Sequence, residues 1–183
     1  MSISPLSPNA PKGWFVIPGV QEGERTLTEA LKGFEFLRHE LRGHMVLDLG
    51  CAEGLVGHWC LTHGAKTYDG IDVDDRKIET GRKLADTMGF GSEFMLFVAD
   101  LNAPEPLPRS HDIVLCLSIL HKLSDPFPLF RYACNAARRW LVLRAPSSIV
   151  GRLYIVEEAS AAGFKMIAEQ AGQPWLGAFR RCT

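Results

Sequence analysis

Met45-Val46-Leu47-Asp48-Leu49-Gly50-Cys51-Ala52-Glu53-Gly54-Leu55-Val56-Gly57 decides the fold. Met45 to Leu49 is a short apolar run broken by one carboxylate and bounded by Gly43 and Gly50, the pattern of a buried strand. After Gly54 the apolar residues Leu55, Val56, Trp59, Cys60 and Leu61 fall at helical spacing. The stretch therefore reads as strand, glycine-rich turn and helix. That geometry offers backbone N–H groups and a positive helix N-terminus to a ligand. Glycine suits both turn positions because it accepts unusual φ and keeps side chains away from the ligand. A small-ligand site is expected here.

Elimination narrows the ligand. A dinucleotide fingerprint needs glycines where this chain has Ala52 and Leu55, and no Gly-Lys-Ser/Thr follows to close a phosphate-binding loop. Asp48 in the strand and Glu53 in the turn also crowd negative charge where a phosphate would lie. Two acids there suit a ligand with a cationic or amino portion. The run Leu47-Asp48-Leu49-Gly50-Cys51-Ala52-Glu53-Gly54 resembles motif I of the class I S-adenosylmethionine-dependent methyltransferases.

Length and composition agree with one domain. The 183 residues are 46% hydrophobic and 22% charged, enough for a proper core. A net charge of −1 gives no basic field of the kind a dedicated nucleic-acid binder carries. No apolar run is long enough to span a membrane, and Met1-Ser2-Ile3-Ser4-Pro5 is not a signal peptide, so a cytoplasmic protein is expected. The five cysteines (Cys51, Cys60, Cys116, Cys134, Cys182) are odd in number and sit in apolar contexts, so reduced thiols are expected and no zinc site.

Outward from the motif, residues 1–25 are rich in Pro and Gly and read as an irregular arm, with residues 26–183 as a single domain. Trp14 and Phe15 in that arm either staple it to the domain or form an aromatic lid over the site. Thr26 and Glu29 make a capping box for a helix carrying Leu27, Leu31, Phe34, Leu37 and Leu41 on one face and ending near Gly43. Ala65 to Asp72 reads as a second strand, and Asp74 or Asp75 caps a helix with Ile78, Leu84, Ala85 and Met88 inward, closed by Gly89. Asp72 stands 22 residues beyond Gly50 at a strand end, where a parallel sheet places its carboxylate beside the glycine turn, within reach of both hydroxyls of a ribose. Phe94 to Val98 is a third strand; residues 102–111 are too proline-rich for a helix. Asp112 to Leu117 is a fourth, central strand. Asp125 at N-cap and Pro126 at N1 open the next helix, with Leu129, Phe130, Ala133 and Ala137 inward. Trp140 to Arg144 is a fifth strand, Ser147 or Ser148 starts a helix stopped by Gly163, and Phe164–Ala168 and Ala178–Cys182 form a hairpin around Gly172-Gln173-Pro174. Arg138, Arg139, Arg144, Arg152, Arg180 and Arg181 read as a solvated face.

Further segments carry the same resemblance. Gly70-Ile71-Asp72 resembles the family's acidic motif, and Leu115-Cys116-Leu117-Ser118-Ile119-Leu120-His121-Lys122-Leu123-Ser124-Asp125-Pro126 its segment after the fourth strand. The resemblance covers about residues 40–183 and implies an α/β three-layer sandwich with a seven-stranded, mostly parallel sheet whose last strand is antiparallel. It implies S-adenosyl-L-methionine as cofactor and S-adenosyl-L-homocysteine as product. By its alignment of motifs, Asp48, Gly50, Cys51, Ala52, Glu53 and Gly54 would hold the methionine end, Asp72 and Val73 the ribose, and Asp100 and Leu101 the adenine. Leu117 and Ser118 would form the floor under the methyl group. His121 falls where that group would point, as a general base or as a shape-setting residue. Cys116-Leu117-Ser118-Ile119 replaces Asn/Asp-Pro-Pro-Tyr/Phe, which argues against base amines and glutamine side chains as acceptors. The absence of Pro-Cys argues against attack on cytosine. A small-molecule acceptor is expected first, a tRNA or other RNA second, and a catalytically silent cofactor-binding or adaptor domain third.

Overall fold

β1 (Met45–Leu49) runs through the middle of the sheet, as its apolar run requires: Val46, Leu47 and Leu49 are fully buried. The computed structural model describes residues 12–17, 21–105, 110–146, 152–171 and 174–182. On one side of β1 lie β2 (Thr67–Asp72) and β3 (Phe94–Val98); on the other lie β4 (His111–Leu117) and β5 (Ala137–Ala145), all parallel. β6 (Phe164–Gln170) and β7 (Trp175–Arg181) close the sheet, with β7 antiparallel to both β5 and β6. The order is β3-β2-β1-β4-β5-β7-β6, the expected seven-stranded α/β arrangement. Strand succession reverses between β1 and β4, so a crevice opens there at the carboxyl ends of the strands.

Two apolar layers cover the sheet. α1 (Leu27–Leu31), α2 (Leu55–Thr62) and α3 (Asp75–Met88) pack with Val46, Tyr68 and Leu115 on one face. On the other, α4 (Phe127–Ala136) and α5 (Arg152–Ala161) pack with Leu47, Val114 and Leu141. No described helix is long and apolar enough to cross a membrane. Cys51, Cys60, Cys116 and Cys134 are buried free thiols, while Cys182 is exposed.

The first helix is shorter than its periodicity predicts. The Thr26–Glu29 capping box forms, but α1 stops at Leu31 and Gly33 takes φ +85°, after which a separate 3₁₀ turn covers Glu35–His39. The physical reason lies far away in the chain. Arg144 of β5 is buried, and its guanidinium donates to the carbonyls of Ala30 (2.6 Å) and Lys32 (2.7 Å). A continuing helix would give those carbonyls to its own N–H groups four residues on. Arg144 is therefore not part of a solvated face. Arg181 is not either, since it donates to the carbonyls of Cys134, Ala137 and Ala162.

Smaller departures have similar causes. β5 starts at Ala137, directly after α4, because His111 pairs with it there; β7 starts at Trp175 because Ala145 pairs with it. α4 begins at Phe127, with Asp125 Oδ1 accepting from the Phe127 N–H at 3.0 Å. Asp74 caps α3 through Arg76 N–H, and Gly89 ends it in the left-handed region, but Met88 is exposed rather than inward. The expected helix start at Ser147 or Ser148 and the Gly172-Gln173 part of the hairpin turn lie outside the described residues.

One glycine ties α3 to the motif turn. A Cβ on Gly81 would stand 2.5 Å from the Glu53 carbonyl oxygen and 2.6 Å from Leu96 Cδ1. Backbone cannot yield as a side-chain tip can, so α3 would have to move. Gly81→Ala is expected to destabilise the fold by about 1–3 kcal/mol despite the better helix propensity of alanine. A thermal melt lowered by several degrees would report it; an unchanged or raised melt would show that α3 has room to move.

Candidate functional site

The crevice at the carboxyl ends of β1, β2, β3 and β4 holds a cavity of about 550 Å³. That lies within the size range of small-ligand pockets. The glycine-rich turn forms its wall in a different way from a phosphate loop. The N–H groups of Gly50 and Cys51 both donate to the Ile71 carbonyl, at 2.8 and 3.0 Å, and Ala52 N–H donates to Asp72 Oδ2 at 2.8 Å. These donors are already engaged, so the turn does not present them to a ligand. What it presents at Gly50 is a bare Cα at φ +85°. A Cβ there would meet the Ile119 side chain at 2.9 Å, so glycine lets the β4 loop close against the turn. Ala52 (φ +52°) and Ser118 (φ +61°) are non-glycine residues in the same unusual region, and both line the cavity. Such backbone strain clusters at functional sites.

Glu24, Asp72, Asp74 and Asp100 all line the cavity, and Asp72 is the one at the end of β2 beside the glycine turn. Its Oδ2 accepts from Ala52 N–H and its Oδ1 from Asp74 N–H at 3.0 Å, which ties the turn after β1 to the turn after β2. Each oxygen keeps a further acceptor position. Val73, exposed just past the end of β2, lines the cavity beside it. Asp100 is exposed at the end of β3, where Asn102 donates to it through both its backbone N–H and its side-chain amide at 2.9 Å. Those two bonds hold the Asp100 carboxyl below its usual pKa. The Oδ1 of Asn102 accepts from Ser124 Oγ and N–H, joining the β3 and β4 sides of the mouth. Leu101, Leu117, Ser118 and His121 also line it. Partial burial first, and the neighbouring Lys122 second, hold the His121 pKa below its ordinary value, which disfavours the charged ring.

Six of the residues singled out from sequence do not line this cavity: Trp14, Phe15, Asp48, Cys51, Glu53 and Gly54. Glu53 is fully buried and faces the arm, its Oε1 accepting from Phe15 N–H (2.9 Å) and Gln21 Nε2 (2.8 Å). Asp48 lies within the sheet's helix-covered face and accepts from the Tyr68 hydroxyl at 2.8 Å. Burial, opposed by that hydrogen bond, raises its pKa to about 7. Cys51 is buried under the turn, its thiol pushed up by burial and by Asp48. Gly54 caps α2 at φ +70° against Phe94 and Leu96. Phe15 is a core residue, and the Trp14 ring takes the Lys77 ammonium at 5.5 Å. The arm does reach the cavity, through Gly13, Glu24 and Arg25 instead of its aromatic residues.

Sequence reasoning therefore missed the cations of the rim: Arg25, Lys77 and Lys122. Lys122 directly follows His121 in the quoted segment, so its place was open to reading; Arg25 and Lys77 carried no local signal. Among the described residues no cluster of three His, Cys, Asp or Glu side chains could hold a metal ion.

A sequence profile described as a methyltransferase domain matches residues 47–139, from β1 into β5. The chain belongs to the class I S-adenosylmethionine-dependent methyltransferase family. It is 28% identical over 99 residues to a ubiquinone biosynthesis O-methyltransferase of Neisseria meningitidis, covering 54% of this chain and 42% of that one. It is 28% identical over 115 residues to a ribosomal protein L11 methyltransferase of Pasteurella multocida, covering 62% and 38%. The chain thus spans about two-fifths of the length of the curated relatives it matches. Among solved structures, a magnesium protoporphyrin IX methyltransferase from Synechocystis with bound S-adenosylmethionine superposes with TM-score 0.70 at 17% identity, covering 84% of this chain and 77% of that one. The structure of a putative RNA methyltransferase from Pyrococcus horikoshii gives 0.68 at 16% identity, covering 85% and 84%. These two likenesses concern the fold.

Proposed function

We propose that this chain moves a methyl group from S-adenosyl-L-methionine to a small-molecule acceptor, with S-adenosyl-L-homocysteine as product. The observation that carries the reading is Asp72, a wall carboxylate with one acceptor position left on each oxygen, beside a bare glycine Cα. A ribose presents two adjacent hydroxyl donors, which is the donor set that Asp72 lacks. Asp100 supplies a further acceptor for an exocyclic amine, and Val73 and Leu101 supply apolar surface for a base. The donor set of the cofactor and the acceptors of the cavity match.

The bound cofactor supplies a methyl group already activated by a positive sulfur. The protein's task is then to hold the reacting partners in line and exclude water, a positioning effect. Gly50, Leu117 and Ser118 shape the wall at the end of β1 and β4, and their uncharged surface leaves the nucleophile unshielded. His121, whose charged form is disfavoured by partial burial, can take a proton at an imidazole nitrogen from a hydroxyl acceptor. The arm reaches one side of the cavity through Gly13, Glu24 and Arg25, is held to Glu53 at Phe15 and Gln21, and acts there as a lid.

Calorimetric titration with S-adenosylmethionine and S-adenosylhomocysteine tests the reading. Micromolar binding of both, followed by donor turnover with a metabolite extract and loss of turnover in His121→Gln with binding kept, is expected. Absence of binding to the wild-type chain would remove the cofactor site. Binding without turnover by any extract would make the domain a cofactor-binding adaptor.

A further inference from the structure

Asp100 is an exposed carboxylate at the cavity, so nothing in its own packing fixes where its oxygens lie. Its backbone is pinned on both sides: Ala99 N–H donates to the Asp72 carbonyl at 3.0 Å, and Leu101 is buried. The side chain is held by a single neighbour. Asn102 donates to Asp100 Oδ1 through its backbone N–H and again through Nδ2, both at 2.9 Å. Among the described residues Asp100 Oδ2 accepts from no group. The backbone bond alone would make an ordinary Asx turn. The amide bond is additional to it, and the amide is itself anchored.

The anchor lies across the mouth, in the loop after β4. Asn102 Oδ1 accepts from Ser124 Oγ at 3.1 Å and from Ser124 N–H at 3.3 Å. A backbone N–H can only donate and an ionised carboxylate can only accept, so the amide has one orientation. Turned over, it would set donor against donor at Ser124 and oxygen against oxygen at Asp100. Asn102 lines the cavity as a strut with its donor end on Asp100 and its acceptor end on Ser124. We propose that Asn102 is a positioning residue for cofactor recognition: it pins Asp100 by Oδ1 and leaves Oδ2 to accept from the exocyclic amino group of adenine. The site thereby selects an aminopurine over a purine lacking that group. An unheld surface carboxylate would rotate, and ligand binding would have to stop that rotation; the strut stops it beforehand. An acceptor fixed in this way is left unpaired by a ligand without the donor, which is the source of the discrimination. This inference rests on the methyltransferase reading above.

The test is calorimetric titration of the full chain with S-adenosylhomocysteine and with its analogue carrying hydrogen in place of the adenine amino group. The wild type is expected to bind the amino ligand about tenfold or more tightly, as for a hydrogen bond to a charged group. Asn102→Ala removes the amide and should cut that ratio to about threefold or less. Asn102→Asp keeps an acceptor for Ser124 but sets a like charge beside Asp100, so it should cut the ratio as far. Asp100→Ala, the reference, should abolish the preference. A thermal melt beside each titration confirms that these exposed substitutions leave the fold intact. The proposal falls if the Asn102 variants weaken both ligands by the same factor, which is what a loosened loop alone would do. It falls too if the wild type binds the two ligands equally, a result that takes amine recognition from Asp100 while the methyltransferase reading stands. Failure of the wild type to bind either ligand overturns that reading and this inference with it.

Discussion

Replacing Asp72 with alanine is expected to weaken binding of S-adenosylmethionine and S-adenosylhomocysteine by about a hundredfold or more while leaving the chain folded. The carboxylate has two roles that the substitution removes together. It cross-ties two turns, through Ala52 N–H at 2.8 Å and Asp74 N–H at 3.0 Å. It also offers the cavity its two remaining acceptor positions. Two hydrogen bonds to a charged group contribute about 1.5–3 kcal/mol each, and every 1.4 kcal/mol or so is a factor of ten in affinity. The fold survives because Asp72 is only half-buried, so water can reach the two freed N–H groups. Asp72→Asn keeps one acceptor and loses the charge, so its affinity should fall between the two. Calorimetry beside a thermal melt separates binding from folding. An Asp72→Ala chain that binds within a few-fold of wild type would place the ribose elsewhere.

Asp72 could be placed from sequence because its direction follows from regular structure. A strand end next to the central strand has one position in a parallel sheet, and spacing along the chain finds it. Asp48 and Glu53 lie closer to the motif, but their directions could not be read in the same way. Glu53 follows Ala52 at φ +52° and precedes Gly54 at φ +70°, so no regular period fixes where it points. Its partners are Phe15 N–H and Gln21 Nε2, 38 and 32 residues earlier. Asp48 alternates with Leu47 and Leu49 along β1, which puts it on the same face as Tyr68 of the next strand. Strand alternation carries that information. The break in the first helix was illegible for a further reason. Its cause is a guanidinium 112 residues from Lys32, and periodicity holds no trace of such a partner. Gly33 was the one local hint.

The buried position of Asp48 leads to a second large effect, and its sign is opposite to that expected for a motif residue. Asp48→Asn is expected to raise stability above neutral pH. Burial lifts the folded-state pKa of Asp48 from its ordinary value of 3.8 to about 7, against the opposing pull of Tyr68, with Asp72 adding to the rise. In that interval the folded chain holds a proton that the unfolded chain has released. Stability therefore falls as pH rises, from about pH 4 until the folded pKa is passed near pH 7, and is flat beyond. Each pKa unit of difference corresponds to about 1.4 kcal/mol, so the loss approaches about 4 kcal/mol at full ionisation. Asparagine is the uncharged isostere, and its amide oxygen still accepts from the Tyr68 hydroxyl. Urea midpoints at about pH 5 and about pH 8 decide the matter. The wild-type midpoint should drop between them by clearly more than that of Asp48→Asn, and the variant should be the more stable at the higher pH. Parallel pH profiles would mean that Arg144 and Arg25 hold Asp48 ionised throughout, with the arginine-to-carbonyl bonds to Ala30 and Lys32 then sharing their cation with a buried anion.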